Sequence, residues 1–135
     1  MNDLLLQKLS SLQRCIKRVR QEFEPKEEFL TSLSRQDAAI LNIQRACEVA
    51  IDIANKIIRA QDLGIPPSSR GSFDTLHAAG AITAVTCENM KRMVGFRNIA
   101  VHEYQNLDVA IVVSVIENKL ADFEQYAREV TVYST

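Results

Sequence analysis

The sequence predicts an all-α protein, an up-down bundle of four to five helices in which residues 1–135 form one domain. Three observations predict this class. Apolar residues recur in steps of three and four along most of the chain, which is the spacing of one helix face. Only 4 Gly and 3 Pro are present, too few to separate many short strands. The 135 residues suit one domain, and no linker or internal repeat divides them.

The first helix is predicted over residues 4–23, and Pro25 ends it because proline cannot continue a helix. Its apolar face comprises Leu5, Leu9, Leu12, Ile16, Val19 and Phe23. A short helical segment is predicted at residues 26–33. The second long helix is predicted from Ser34, as its N-cap, to about Leu63, with Gly64 as its C-cap. It has a wide apolar face, which indicates a helix covered on two sides: Ile40, Ile43, Ala46, Cys47, Val49, Ala50, Ile53, Ala54 and Ile57.

The second half of the chain is predicted to hold a loop and three further helices. Residues 64–72, GIPPSSRGS, are the loop. Ser72 is a candidate cap for a short helix that closes at Gly80, and the next helix starts near Ile82. The last helix starts near Asn106 or Leu107, with this apolar stripe: Val109, Val112, Val113, Ile116, Leu120, Phe123 and Ala127. Ile111 and Val115 give it a second apolar face, so we expect the bundle to pair with another protein surface.

Composition limits the function. The net charge of −1 does not favour binding of nucleic acid by bulk electrostatics, so any RNA contact must come from a local patch or from another subunit. No run of 18 apolar residues indicates a membrane span, and the N-terminus does not resemble a signal peptide. The cysteines are far apart and lie within helical patterns, which is typical of core residues in a reducing cytoplasm: Cys15, Cys47 and Cys87.

The helix after Ile82 carries the residues with chemical potential. One face is predicted from steps of four, three, four and three, through Met90, Val94, Arg97, Val101 and Tyr104. An arginine on a buried face is costly unless its charge is satisfied. A guanidinium is also well suited to hold a phosphate through two hydrogen bonds. Arg97 is therefore either a partnered ion, paired for instance with a carboxylate, or a phosphate ligand.

His102 follows Arg97 by five residues. In a straight helix, the two side chains would lie about 140° apart, and His102 would lie about 160° from Tyr104. They would converge if the helix ended or bent near Val101, or if two copies met across a dimer axis. Histidine can move protons near neutral pH, and beside a held phosphate it suits attack by an RNA 2′-hydroxyl, which needs neither metal nor cofactor. Residue types alone also allow a capping histidine and a core tyrosine.

The string RNIAVHEY, residues 97–104, resembles the R-x-x-x-x-H-x-Y signature of the HEPN superfamily, specifically its HepT-like branch from HepT–MntA toxin–antitoxin pairs. The helical pattern and the length match along nearly the whole chain. The resemblance implies an endoribonuclease toxin of a type II or type VII-like system, with two motif copies facing one groove of a homodimer. It makes Arg97 and His102 catalytic and gives Asn98 a supporting role.

The resemblance also implies a mode of inhibition. Tyr104 falls on the family tyrosine, to which a minimal nucleotidyltransferase antitoxin transfers AMP from ATP. A bulky anion there would fill the groove and repel the RNA phosphate.

Two other classes of function stay open. HEPN bundles resemble the substrate-binding domain of some nucleotidyltransferases, so the chain could be the non-catalytic substrate-binding subunit of a split nucleotidyltransferase. The Arg97–His102 pair argues against that class, since binding alone needs no histidine at that spacing. An adapter that only dimerises is the other alternative. His77 has no ligand at a useful spacing, and two His with three scattered Cys make no zinc pattern, so we expect neither metal nor cofactor.

Overall fold

The computed structural model describes residues 2–103 and 106–135, and within them the chain forms seven helices and no strand. The all-α prediction is confirmed. The helices are α1 (Asp3–Phe23), α2 (Lys26–Thr31), α3 (Leu33–Ala60), α4 (Ser69–Ala78), α5 (Ala84–His102), α6 (Val109–Asn118) and α7 (Leu120–Ser134). In the described ranges, no helix combines the length and the apolar character needed to cross a membrane.

Helices α1 and α3 form a long antiparallel pair. Lys8, near the start of α1, pairs with Asp52, near the end of α3, at 3.2 Å. At the other end of the pair, Arg35 donates a 3.0 Å hydrogen bond to the carbonyl of Glu24. The predicted face of α1 is buried, except that Phe23 is only partly covered: Leu5, Leu9, Leu12, Ile16 and Val19. Its burial follows from the three and four residue spacing read from the sequence.

Helices α5 and α7 run antiparallel and complete the up-down bundle. The amide of Thr83, which precedes α5, donates a 2.7 Å hydrogen bond to Glu129 of α7. Further along, Asn89 of α5 approaches Asp122 of α7 at 3.4 Å. One hydrophobic core runs through the bundle and includes residues from all seven helices. Within it, the ring of Tyr126 on α7 packs edge-on against Phe73 on α4, with centroids 5.6 Å apart.

Both predicted ends of α3 and the predicted start of α4 are wrong. The side chain of Ser32, rather than Ser34, caps α3 and accepts a 3.2 Å hydrogen bond from the Arg35 amide. Helix α3 ends at Ala60 rather than Leu63, because Asp62 leaves the helical region with φ 53°, so Gly64 lies beyond the helix end. Ser68, rather than Ser72, caps α4, while the predicted close at Gly80 is confirmed by its φ of 82°.

The predicted last helix is two helices. Lys119 has φ −122° and ψ −14°, outside the α-helical range, and separates α6 from α7. Beyond it, the buried positions are Leu120, Phe123, Tyr126 and Val130, whereas the predicted Ala127 is only partly covered. The predicted stripe therefore holds as far as Phe123, after which the buried position is Tyr126, three residues on, rather than Ala127, four residues on. The helix also starts at Val109, later than predicted.

Candidate active site

Helix α5 carries the motif, and a side chain of the neighbouring helix α7 fixes its start. The hydroxyl of Thr83 caps α5 by accepting a 3.2 Å hydrogen bond from the Thr86 amide. The carboxylate of Glu129, on α7, accepts hydrogen bonds from the Thr83 amide and the Thr86 hydroxyl. An acidic group at a helix N-terminus also interacts favourably with the helix dipole. The helix that presents Arg97 and His102 is thus anchored at its far end.

The face of α5 that meets the core differs from the predicted one near the motif. Met90 and Val94 are buried, as predicted. Val101 is 54% exposed, and the neighbouring Ala100 is fully buried in its place. Met93 and Ala100 are seven residues apart, about two helical turns, and both are buried. The next buried position after Arg97 is therefore Ala100, three residues on, rather than the predicted Val101, four residues on. Val101 therefore lies on the surface beside the motif.

Arg97 forms an ion pair with a residue of its own chain. Its Nη1 donates a hydrogen bond to the Oε1 atom of Glu48 on α3. The Arg97 side chain is only 19% exposed, whereas that of Glu48 is 54% exposed. The Nε atom of Arg97 is buried and has no hydrogen-bond partner within the described residues. The predicted carboxylate pairing is present, and the guanidinium retains donors that a phosphate can use.

Cys47 lies beside the Arg97 charge in the core. Its thiol donates a 3.5 Å hydrogen bond to the Met93 carbonyl. Burial raises the pKa of the Cys47 thiol to about 12, although the nearby Arg97 charge acts in the opposite direction. The thiol is therefore protonated at neutral pH and acts as an apolar core group, as the sequence predicted, rather than as a nucleophile.

His102 is the last residue of α5 and is exposed. Because α5 stays helical from Arg97 through His102, the two side chains project about 140° apart around the helix axis. The helix does end close to Val101, as one alternative required, but it ends only after His102 and does not bend before it, so the helix itself does not turn the pair to a common side. The other predicted arrangement, in which two copies of the chain meet, stays a prediction.

The remaining motif residues are placed only in part. Asn98 lies on the exposed side of α5, next to Arg97. Tyr104 lies outside the described residues. Ile99 and Val101 add two apolar side chains, 50% and 54% exposed, to the same end of the helix. The motif thus lies in a surface that is apolar as well as polar.

Comparison with known proteins decides the family. The family model of ribonuclease HepT-like proteins matches residues 11–130. This chain belongs to the HepT-like family. It is 50% identical over 126 residues to a protein named mRNA nuclease HepT from Shewanella oneidensis, covering 93% of this chain and 95% of that one.

Solved structures give the same assignment for the HepT-like chain. A toxin–antitoxin structure with AMP-PNP has TM-score 0.92 and 46% identity, covering 97% of this chain and 99% of that one. The tri-AMPylated Shewanella oneidensis HEPN toxin in complex with MNT antitoxin has TM-score 0.92 and 48% identity, covering 98% and 99%. The cytosolic protein YutE of Bacillus subtilis shares the fold alone, at TM-score 0.79 and 15% identity.

One residue of this HepT-like site is not evident from the sequence. Glu48 is separated from Arg97 by 49 positions, and nothing in its local pattern distinguishes it from other solvent-facing carboxylates of α3. His77 is exposed in the last turn of α4. In the part of the chain that the structure describes, no group of three or more His, Cys, Asp and Glu is arranged to hold a metal ion.

Proposed function

We propose that this HepT-like protein is a metal-independent endoribonuclease, acting in the cytoplasm as the toxin of a toxin–antitoxin pair. One observation carries the proposal: the chain is 50% identical, along 93% of its length, to a protein named as an mRNA nuclease, and it retains the Arg97–His102 motif. The half-buried arginine and the exposed histidine of α5 suit a phosphate clamp and a proton carrier.

In the proposed reaction, Arg97 holds the phosphate at the cleavage site. His102 accepts the proton of the RNA 2′-hydroxyl as its oxygen bonds to the adjacent phosphorus. The bond from phosphorus to the 5′-oxygen breaks, and that oxygen takes up a proton as it leaves. The products are a 2′,3′-cyclic phosphate and a 5′-hydroxyl. Arg97 stabilises the negative charge that accumulates on the phosphate oxygens, and Asn98 supports the site from the neighbouring position.

The proposed assembly is a homodimer in which the ends of two α5 helices face one groove. The wide angle between Arg97 and His102 supports this arrangement, because a second copy can supply the histidine that the first arginine lacks on its own side. The exposed apolar side chains of Ile99, Val101 and Ile111 supply surface that such a contact would cover. Light scattering on the purified protein should give twice the monomer mass, and a monomer at micromolar concentration would contradict the dimer.

The proposed partner is a minimal nucleotidyltransferase antitoxin, as in the related toxin solved with an MNT antitoxin. In this proposal, the Tyr104 hydroxyl attacks the α-phosphorus of ATP, and pyrophosphate leaves. The tyrosine then carries AMP, whose negative phosphate competes with RNA for the arginine clamp. The tri-AMPylated state of the related toxin supports such a modification.

The test is cleavage of total cellular RNA by unmodified protein in excess EDTA. Replacing Arg97 or His102 by alanine should lower the rate by about 10²-fold or more, since a clamp and a proton carrier each contribute on that scale. The controls are Arg92→Ala on the same helix and His77→Ala on α4, which should cleave at the wild-type rate. The wild type should leave cyclic-phosphate ends.

A different result would redirect the assignment. If the wild type and both variants were equally inert, and mass spectrometry had excluded a modified Tyr104, the ribonuclease would be wrong. The substrate-binding subunit of a split nucleotidyltransferase would then be the function to pursue.

A further inference from the structure

We propose that Glu48 is a positioning residue of the ribonuclease site, which orients the Arg97 guanidinium toward the scissile phosphate. The inference rests on the proposed function and adds a residue from another helix to it. Glu48 lies on α3, and its carboxylate accepts a hydrogen bond from Nη1 of Arg97 on α5. The contact joins the two helices at the level of the motif.

The two members of this ion pair differ in their surroundings. Arg97 is 19% exposed, and Glu48 is 54% exposed. Arg97 lies mostly within the protein, close enough to the buried Cys47 for its charge to act on that thiol. A guanidinium in such a place needs a fixed partner to offset the loss of water. Glu48 supplies that partner from the more solvent-exposed side of the contact. The ion pair therefore restricts the motion of the Arg97 side chain more than that of Glu48.

The geometry of the guanidinium determines which of the N–H donors of Arg97 can bind an RNA phosphate. An arginine has five N–H donors in a planar fork. Nη1 uses one for Glu48, and the buried Nε has no partner within the described residues. A phosphate therefore meets the fork through the remaining Nη donors, whose direction is set once Glu48 holds Nη1. Fixing a charged group before the substrate arrives avoids the cost of ordering it in the transition state.

The Glu48 carboxylate has an opposing effect, because its negative charge repels a phosphate bound to the same arginine. Two features make that effect the smaller one. Glu48 is more than half exposed, so water and salt screen its repulsion. Loss of the contact, in contrast, releases a long side chain from the only hydrogen bond that the described residues give it. Removal of Glu48 should therefore slow cleavage rather than accelerate it.

The kinetic test compares three variants on one RNA substrate. Glu48→Ala should lower kcat by about 10-fold to 100-fold with KM changed by less than about 3-fold, because misorientation acts mainly on the chemical step. Glu48→Gln keeps an oxygen that accepts from Nη1 and should retain kcat within about 5-fold. Asp52→Ala is the matched control: it lies one turn along α3, is 50% exposed and pairs with Lys8, so its rate should match wild type.

A second measurement needs no turnover. In protein labelled with ¹⁵N-arginine, the Nε–H signal of Arg97, assigned by its loss in Arg97→Lys, should exchange slowly with water in the wild type. The signal should broaden or vanish in Glu48→Ala and persist in Glu48→Gln and Asp52→Ala.

The following results would contradict the proposed role of Glu48. Wild-type or faster cleavage by Glu48→Ala would make the glutamate neutral or inhibitory. Equal losses of kcat in the Ala and Gln variants, together with a lower Tm in both, would make it structural only. An unchanged Nε–H signal in Glu48→Ala would remove the physical basis of the proposal. If the wild type itself does not cleave RNA, the proposed function fails, and the exchange measurement alone decides whether Glu48 orders Arg97.

Discussion

Tyr126 lies at the centre of the bundle, fully buried, and its hydroxyl donates a 2.8 Å hydrogen bond to the Ala50 carbonyl of α3. Tyr126→Phe removes this hydrogen bond and keeps the ring that packs against Phe73. The Ala50 carbonyl lies inside α3 and keeps its helical hydrogen bond, so no acceptor is left without a partner. The cost at pH 7 should be about 1 kcal/mol, the net value of one such bond.

The same substitution should reverse its effect in alkali. Burial raises the pKa of Tyr126 far above its ordinary value of 10.0. The unfolded phenol ionises near pH 10 while the folded one stays neutral, so the wild type loses stability as the pH rises above 10. At pH 11 this loss is RT ln(1 + 10), about 1.4 kcal/mol, and the Phe variant does not incur it. The two stabilities should cross between about pH 10 and pH 11.

Urea unfolding of both proteins at pH 7, 9, 10 and 11, followed by circular dichroism, measures the difference directly. In thermal unfolding at neutral pH, the Tm of Tyr126→Phe should be about 3–5 °C below that of the wild type. Tyr133→Phe is a control that removes a hydrogen bond at the partly exposed end of α7, where the Tyr133 hydroxyl donates to the Gln61 side chain. Because water can take the place of the lost partner there, it should cost less than about 0.5 kcal/mol at pH 7. A Tyr126→Phe difference that stays constant or grows above pH 10 would refute the reasoning.

Two helical glycines should respond to alanine with opposite signs. In Gly95→Ala the new Cβ meets only the flexible tip of Arg70, at 2.8 Å, so the variant should gain about 0.5–1 kcal/mol of stability from helix propensity. In Gly71→Ala it meets the stiff ring of Pro67 at 2.9 Å, so the variant should lose about 1 kcal/mol; urea midpoints that shift in the same direction would contradict this. Glu129→Gln should cost stability at pH 7 and little at pH 3. Burial tends to raise the pKa of Glu129, but the hydrogen bonds that its carboxylate accepts from the start of α5 act in the opposite direction. The net effect holds the pKa below its usual 4.5. The ionised form therefore stabilises the fold above that value, and the stability is lost as the pH falls through the folded pKa. Urea unfolding between pH 3 and 7 would show the gap closing, and a gap that widened in acid would disprove the assignment.

Helix α1 shows where sequence reasoning succeeds. Its predicted face is the face that the structure buries, because the repeat of apolar residues is a property of the helix itself. The ends of helices are less predictable. Ser32 and Ser34 are both good caps, and the choice between them depends on where the preceding turn directs the chain, which neighbouring residue types do not encode.

The site divides in the same way. The identities of Arg97, Asn98, His102 and Tyr104 and their spacing are visible in the string RNIAVHEY, and they indicated the family. The sequence left open whether Arg97 pairs with a carboxylate, and it gave no means to find Glu48 among the many carboxylates of the chain. The contact forms only because α3 and α5 pack together in a register that places Glu48 opposite Arg97.

The sequence by itself determined the helical class, the buried face of α1 and the residues of the motif, since each depends on neighbours within a few positions along the chain. Only the tertiary structure decided that α5 runs helical through His102, that Ala100 rather than Val101 meets the core, and that Glu48 meets Arg97. The physical reason is the range of the interactions. Helical periodicity repeats every 3.6 residues, whereas an ion pair across 49 positions depends on how whole helices pack.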